Sequence, residues 1–322
     1  MTRSVTIDGE KPVVALTGAS GFLGRYLVPA LHEAGYRVRI LMRQDPQDAR
    51  WAGVDLEVVP GRLEDQQALD RLCLGAQAVI HGAGLIKARS REDFMAVNRD
   101  GAGRLAQTVS RLIPNAHFLL ISSLAARSPE LSHYAESKLA GEEMIRAILP
   151  EDRIGILRPP AIYGPGDKET LVLFKLASGR IAPLGQPQGS RLALIHAEDA
   201  ARAVAAISRT RLAGHWYLAD AEPSGYEFAD LLKIAAAALG SDPFYIQIPS
   251  TMIHVAGAVS ETWGRLTGRV MMLTRGKARE ITHKDWAVAG EALPPAEIWT
   301  PQITMHAGIT STARWYRARG LV

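Results

Sequence analysis

Tyr134 and Lys138 stand four residues apart in the stretch Ser122-Ser-Leu-Ala-Ala-Arg-Ser-Pro-Glu-Leu-Ser-His-Tyr-Ala-Glu-Ser-Lys138. On a helix that spacing turns both side chains to one face. A free phenol titrates at about 10 and is a poor base near neutrality. A cation beside it favours the phenolate and brings proton transfer into reach. The pair therefore suits removal of the proton from a secondary alcohol as its carbonyl forms, or the reverse. Ser123, favoured over Ser122, would donate to the substrate oxygen, and Lys138 would reach the ribose hydroxyls of a nicotinamide cofactor. The same pair is also common as an exposed aromatic–cation contact, so a second site must give it a purpose.

Thr17-Gly-Ala-Ser-Gly-Phe-Leu-Gly24 supplies one. It follows an apolar run and opens a helical pattern, the order a dinucleotide-binding turn requires. Gly18, Gly21 and Gly24 allow a tight turn, close approach of the backbone to a pyrophosphate, and close helix–strand packing. Amides around Ser20, Phe22 and Leu23, at the positive end of the helix dipole, stabilise the phosphate charge. At the end of the next strand stands Arg43 where an acidic residue would favour NAD; its planar fork suits a 2′-phosphate and favours NADP.

Those groups need a scaffold that brings strand ends together. Val13–Thr17, Val38–Met42, Leu56–Val59, Ala78–His81, Phe118–Ile121 and Ile154–Leu157 read as strands. Between them Phe22–Ala34 (with Pro29 inside), Asp65–Leu74, Phe94–Leu112 and Tyr134–Leu149 read as helices. Such alternation predicts an α/β fold with a doubly wound parallel sheet. In the second half, helices are expected at Thr170–Ser178, Glu198–Ser208, Tyr226–Leu239, Met252–Leu266 and Thr310–Arg319. Strands are expected there at Leu192–Ile195, Trp216–Leu218 and Tyr245–Ile248, with linkers at Gly164–Asp167, Pro183–Gly189 and Leu293–Pro295. The expected division is a nucleotide-binding Rossmann unit over 10–165, completed by about 191–218. A smaller, mainly helical C-terminal substrate lobe would take 166–190 and 219–322.

Composition narrows the classes. With 322 residues, 47% hydrophobic and 22% charged, the chain can bury a large core. A net charge of +4 with scattered arginines gives no nucleic-acid arm. The single cysteine, Cys73, lies on an apolar helical face, and nine histidines without paired ligand spacing give no metal site. Residues 1–10 lack the apolar core of a signal peptide, and Met252–Val259 is far too short to span a bilayer, so a cytoplasmic protein is expected. Glu136 and Glu142 read as solvated helix charges and Ser132 as a helix N-cap. His196 and Asp199 are expected to cap a helix, and Trp263, Trp286, Trp299 and Trp315 mostly to pack the second lobe, with one or two able to line an apolar pocket. Lys87 and Arg89 suit either substrate contact or loop surface.

With TGASGFLG, Asn98, Ser123 and Tyr134-Ala-Glu-Ser-Lys138 in this order, the chain resembles the extended short-chain dehydrogenase/reductases. His81-Gly-Ala-Gly84, Arg158-Pro-Pro-Ala-Ile-Tyr-Gly-Pro-Gly-Asp167 and Ile195-His-Ala-Glu-Asp199 extend the match over nearly the whole chain. Leu273-Thr-Arg-Gly-Lys277 and His283-Lys-Asp-Trp286 are most similar to the branch of NAD-dependent epimerase/dehydratases and 3β-hydroxysteroid-dehydrogenase-like proteins. The resemblance implies Ser123, Tyr134 and Lys138 as catalytic residues, with Asn98 supporting a relay water or the lysine. It adds Leu63, Gly82, Ala83, Gly84, Ser122, Pro159 and Ile162 to the cofactor contacts.

Three departures bear on substrate. Arg62 stands in Gly61-Arg-Leu63 where the family has an adenine-contacting Asp. The Ser123-to-Tyr134 separation, eleven residues, is short for nucleotide-sugar enzymes of this family. Arg191 lies five residues before His196 instead of four, which turns it to the other strand face. The expectation is an NADP- or NAD-dependent oxidoreductase on a secondary alcohol or ketone, with an apolar small-molecule substrate and a family precedent for a homodimer. An epimerase or dehydratase with transient cofactor use is the alternative. A non-catalytic nucleotide-sensing or assembly protein is a third reading, which the intact Tyr134/Lys138 pair disfavours.

Overall fold

The apolar runs of the first half alternate between two buried faces, and that makes a central sheet. In the computed structural model, which describes residues 11–44 and 48–322, strand β1 (Val13–Thr17) sends Val14 and Leu16 to one core and Ala15 to another. Burial on both faces is what a parallel sheet between helical layers demands. Strands β2 (Arg37–Met42), β3 (Leu56–Pro60), β4 (Ala78–His81), β5 (His117–Ile121), β6 (Ile154–Arg158) and, much later, β11 (Gly214–Tyr217) complete seven parallel strands. Their order is β11-β6-β5-β4-β1-β2-β3. Strand order therefore reverses between β1 and β4, which opens a crevice at their carboxyl ends.

One face is covered by α1 (Gly24–Glu33) and α7 (Ala197–Thr210), the other by α2 (Gln66–Cys73), α4 (Ala102–Leu112) and α5 (His133–Arg146). Cys73 is a buried core thiol. The single helix expected over Phe94–Leu112 is in fact three pieces. A short α3 (Arg91–Met95) with its Ser90/Asp93 capping box leads into a π turn over Ala96–Gly101, and α4 follows. The π turn carries Asn98, and such bulges arise where a side chain must be re-aimed out of helical phase.

The second half uses shorter pieces. β7 (Ala161–Tyr163) pairs with β10 (Leu194–His196), β8 (Ile181–Leu184) with β12 (Phe244–Gln247), and β9 (Arg191–Leu192) with β13 (Asp285–Trp286). The strand expected over Leu192–Ile195 is split at Ala193, whose amide donates to the Trp286 carbonyl at 3.0 Å. Pro183, expected in a linker, lies inside β8, which a proline can join because β8 has a neighbour on one side only. Helices α6 (Leu171–Ser178), α8 (Phe228–Leu239) and α11 (Met305–Arg317) enclose a separate core around Tyr163, Phe174 and Tyr316. Between α8 and α11 run α9 (Ser250–Thr267) and α10 (Arg275–Thr282). The expectation about a signal peptide falls on residues 1–10, outside the described residues. No helix among the described residues is long and apolar enough to cross a membrane.

Candidate active site

Gly18 leaves β1 at φ 82°, and a Cβ there would stand 2.5 Å from the Gly82 carbonyl carbon. At Gly24 a Cβ would fall 2.1 Å from the Gly18 carbonyl oxygen, and at Gly21 3.2 Å from the same atom. The three glycines thus do separate jobs: one admits the β4 exit loop, and the others let the chain close on itself before α1. Among the described residues the amides of Phe22 and Leu23 donate to no protein acceptor, and the first turn of α1 carries no acidic side chain. Ser20 is exposed beside them. A backbone concavity with free amides and no competing carboxylate fits a pyrophosphate.

The opposite wall is held by Thr17 and His81, a tie the sequence reading missed. His81 Nδ1 lies 2.7 Å from Thr17 Oγ1, which also accepts from the Ala83 amide at 3.3 Å. Burial pushes the His81 imidazole down to about 3, with the Lys138 charge acting the same way. The ring is therefore neutral and serves as a hinge pin for Gly82, Ala83 and Gly84. A Thr and a His ending adjacent parallel strands was the available signal. Asn98 continues this wall: its Nδ2 donates to the Leu85 carbonyl at 3.0 Å and to Ser137 Oγ at 2.9 Å, while its Oδ1 accepts from the Leu85 amide at 2.8 Å. Both Asn98 donors are used, so in this geometry it fixes the loop after β4 onto α5 and does not donate to a relay water.

Ser132 caps α5, accepting from the Ala135 amide at 3.0 Å, and so sets Tyr134 in the first turn. Tyr134 and Lys138 are each half-buried as whole side chains, with their polar ends enclosed. The Ser123 hydroxyl, which accepts from the Ala125 amide at 3.2 Å, lies on the phenol's side, and the Tyr134 ring stands 6.2 Å from that of Phe94. Lys138 Nζ donates to the Ile121 carbonyl at 2.8 Å and lies 3.7 Å from where a Gly84 Cβ would be. One expectation is corrected here. Burial pushes the Tyr134 phenol up to about 12 against the opposing influence of the Ser123 hydroxyl, and the Glu280 charge pushes it further. Burial lowers the Lys138 ammonium to about 8, opposed by the Glu142 charge.

Glu142 is not a solvated helix charge. It is fully buried, and Arg158 holds it with two bonds, Nε to Oε1 at 2.9 Å and the terminal nitrogen to Oε2 at 2.7 Å. Arg158 also donates to the Tyr217 hydroxyl at 2.8 Å, and the Ser122 hydroxyl donates to Glu142. Ser122, expected at the cofactor, thus spends its hydroxyl beneath the site, while Ser123 faces Tyr134. The network knots β5, α5, β6 and β11 together beside Tyr134 and Lys138. Glu136, by contrast, pairs at the surface with Arg91.

The family model for the NAD dependent epimerase/dehydratase family matches residues 14–218. A ceramide reductase of Caulobacter vibrioides is 47% identical over 308 residues, spanning 96% of this chain and 95% of that protein. The chain belongs to this family. A 2-alkyl-3-oxoalkanoate reductase of Shewanella oneidensis is 25% identical over 303 residues, covering 83% of this chain and 77% of that one. The solved structure of MoeE5 in complex with UDP-glucose and NAD has TM-score 0.72 at 18% identity, covering 97% of this chain and 100% of that chain, which speaks for the fold alone.

Within this NAD dependent epimerase/dehydratase enzyme, the remaining expected residues take the following places. Arg43 is exposed just past β2, and Arg62 is exposed past β3. Leu63 lies against Gly101, where a Cβ would meet it at 3.0 Å. The Pro159 carbonyl accepts from the Leu124 amide at 2.8 Å, and Ile162 is half-buried in β7. His196 caps α7, its Nδ1 accepting from the Glu198 amide at 3.3 Å. Asp199 does a different job from the expected cap: it receives the Gln302 and Ile303 amides at 2.9 and 2.8 Å, clamping the approach to α11. Lys87 pairs with Glu169 at 2.6 Å, joining the loops after β4 and β7. Arg191 is exposed in β9.

Glu280 of α10 was not foreseen. Ser132 Oγ donates to it at 2.5 Å and Lys277 Nζ at 3.0 Å, so α10 presses a carboxylate onto the start of α5. Arg279 adds a bond to the Leu131 carbonyl at 2.8 Å. The Thr274 cap, which accepts from the Lys277 amide at 3.2 Å, was the sequence signal for this helix.

Proposed function

We propose that the protein is an NAD(P)H-dependent reductase of a ketone on an acyl-chain lipid, with Tyr134 as the proton donor. The observation that carries this reading is the placing of Tyr134 and Lys138 on one inward stripe of α5 at the carboxyl end of β5, beside Ser123 and facing the glycine turn's wall at Gly84. The phenol is in its protonated form near neutrality, which is the form that reduction consumes. When bound, the nicotinamide supplies the hydride. Ser123 holds the carbonyl oxygen, and Tyr134 delivers its proton to that oxygen as charge develops. The Gly18–Gly24 turn would hold the pyrophosphate and Lys138 the adjoining ribose, with Asn98 and His81 keeping the loop between them in place. Arg43 supports NADP over NAD, since an exposed fork at the end of β2 suits a 2′-phosphate.

The substrate class comes from two relatives whose names give reduction of acyl-chain compounds, a ceramide and an oxoalkanoate. Ceramide itself has no ketone, so a reductase forming it takes the corresponding keto-lipid. The short Ser123–Tyr134 loop and the displaced Arg191 argue against a nucleotide sugar. The test is cofactor balance with a long-chain N-acyl 3-keto base. One NADPH oxidised per alcohol formed supports the reading; product without net oxidation selects the epimerase or dehydratase alternative.

A further inference from the structure

A helix of a globular protein normally buries its apolar stripe. In α9, which has eighteen residues, only Gly257 and Gly264 are buried. A Cβ at Gly257 would stand 2.9 Å from the Thr274 carbonyl oxygen and 3.0 Å from the Ala278 Cβ, so α9 lies on α10 through its small residues. Its large ones point away. Met252, Val255, Val259, Trp263 and Leu266 recur at spacings of three and four and are between 57% and 78% exposed. Four of them, with Met271, line a shallow apolar groove of about 640 Å³. A contiguous apolar face of this kind on a folded protein marks a docking surface.

Charge says what docks there. Ser250 to Lys284 holds six Lys/Arg against two acids, which equals the whole formal excess of +4 in the chain. Of the two acids, Glu280 turns inward onto Ser132, and Glu261 pairs with Arg265. Arg269, whose amide donates to the Gly264 carbonyl at 3.1 Å, and Arg275, whose amide donates to Glu261 at 2.9 Å, are exposed beside α9. An apolar stripe bearing a Trp and rimmed by cations is the pattern of a helix lying in a bilayer interface. Because no helix among the described residues is long and apolar enough to span a membrane, the relevant mode is lying on it.

We propose that α9 docks this enzyme onto an anionic lipid bilayer, placing the substrate lobe where a keto-lipid resides. Location agrees: α10, beneath α9, brings Gly276 against Ser132, two residues from Tyr134. The choice of a bilayer as occupant rests in part on the acyl-lipid reading above.

The full-length protein is floated with vesicles of equal parts phosphatidylglycerol and phosphatidylcholine, and with phosphatidylcholine alone. Binding to the anionic vesicles is expected, weakened at least about tenfold by raised salt or by Val255→Asp with Val259→Asp. Cofactor binding by fluorescence quenching should be unchanged in that variant, which verifies its fold. A protein that stays in solution with both vesicle types overturns the proposal, and so does equal binding to both. A dimer in sedimentation that Val259→Asp dissociates also overturns it, since a second copy would then cover the stripe. Flotation is read without turnover, so its failure leaves the ketone-reductase reading standing. An enzyme that floats but reduces no ketone fails that reading alone.

Discussion

Helices α5 and α9 invert each other. α5 reads as a polar helix, yet Tyr134, Lys138 and Glu142 share one inward stripe, with the Tyr134 ring beside Phe94 and the other two hydrogen-bonded within the protein. α9 reads as a core helix, yet its Met, Val, Trp and Leu side chains face outward and its glycines face in. A buried polar group and an exposed apolar face are the informative departures from ordinary burial, because each costs free energy that a function must justify. In α5 the justification we propose is proton transfer to a bound oxygen. In α9 it is a surface that the chain itself leaves uncovered.

The comparison is broken most severely at Tyr134. Tyr134→Phe removes the proton donor and leaves the ring against Phe94, so turnover should fall about 10²- to 10⁴-fold with the cofactor still bound. A variant with full activity would remove Tyr134 from the chemistry. Next comes the buried knot beneath it. Glu142→Ala leaves the Arg158 charge uncompensated and should cost about 3–5 kcal/mol of unfolding free energy. Adding Arg158→Met should return much of that loss, and urea unfolding of both variants checks it. If the single variant is as stable as the wild type, the buried pair is not what holds α5 to β6.

An effect confined to acid pH follows from the strand-end histidines. Burial pushes His81 down to about 3 and His117 to about 4, so both are neutral in the folded protein and protonate in the unfolded chain below about 6.5. Their folded values lie below the unfolded ones, so stability is intact above that pH and is lost as pH falls. The loss approaches about 1.4 kcal/mol per pH unit per histidine between about 6 and 4. Denaturant melts across that range would show it, and a flat profile would contradict the burial of these rings. The smallest effect belongs to the exposed Arg43. Arg43→Ala should weaken NADPH about tenfold while leaving NADH nearly unaltered, as titrations of each cofactor would read.

The two halves were unequally legible in the sequence. β1 to β6 could be placed to within a residue because strands buried on both faces are continuous apolar runs. Gly18, Gly21 and Gly24 could be placed because only glycine permits their approaches. Ser132 was readable as a cap, and Tyr134 with Lys138 as one face. What escaped depended on partners distant in the chain. Glu142 is 16 residues from Arg158, and spacing alone cannot show that a glutamate faces inward. The direction of the Tyr134 shift depended on enclosure and on Glu280, which α10 brings across 146 residues. β8 and β13 escaped because one contains Pro183 and the other is two residues long.

The central claim is net hydride transfer to a lipid ketone, with the proton arriving from Tyr134. Its most direct test is the wild-type enzyme with NADPH doubly deuterated at nicotinamide C4 and a long-chain N-acyl 3-keto base, followed by mass analysis of the alcohol. One deuterium on the new carbinol carbon, with one cofactor oxidised per product, is the predicted result. Product lacking deuterium, or formed with the cofactor returned unchanged, would contradict the account.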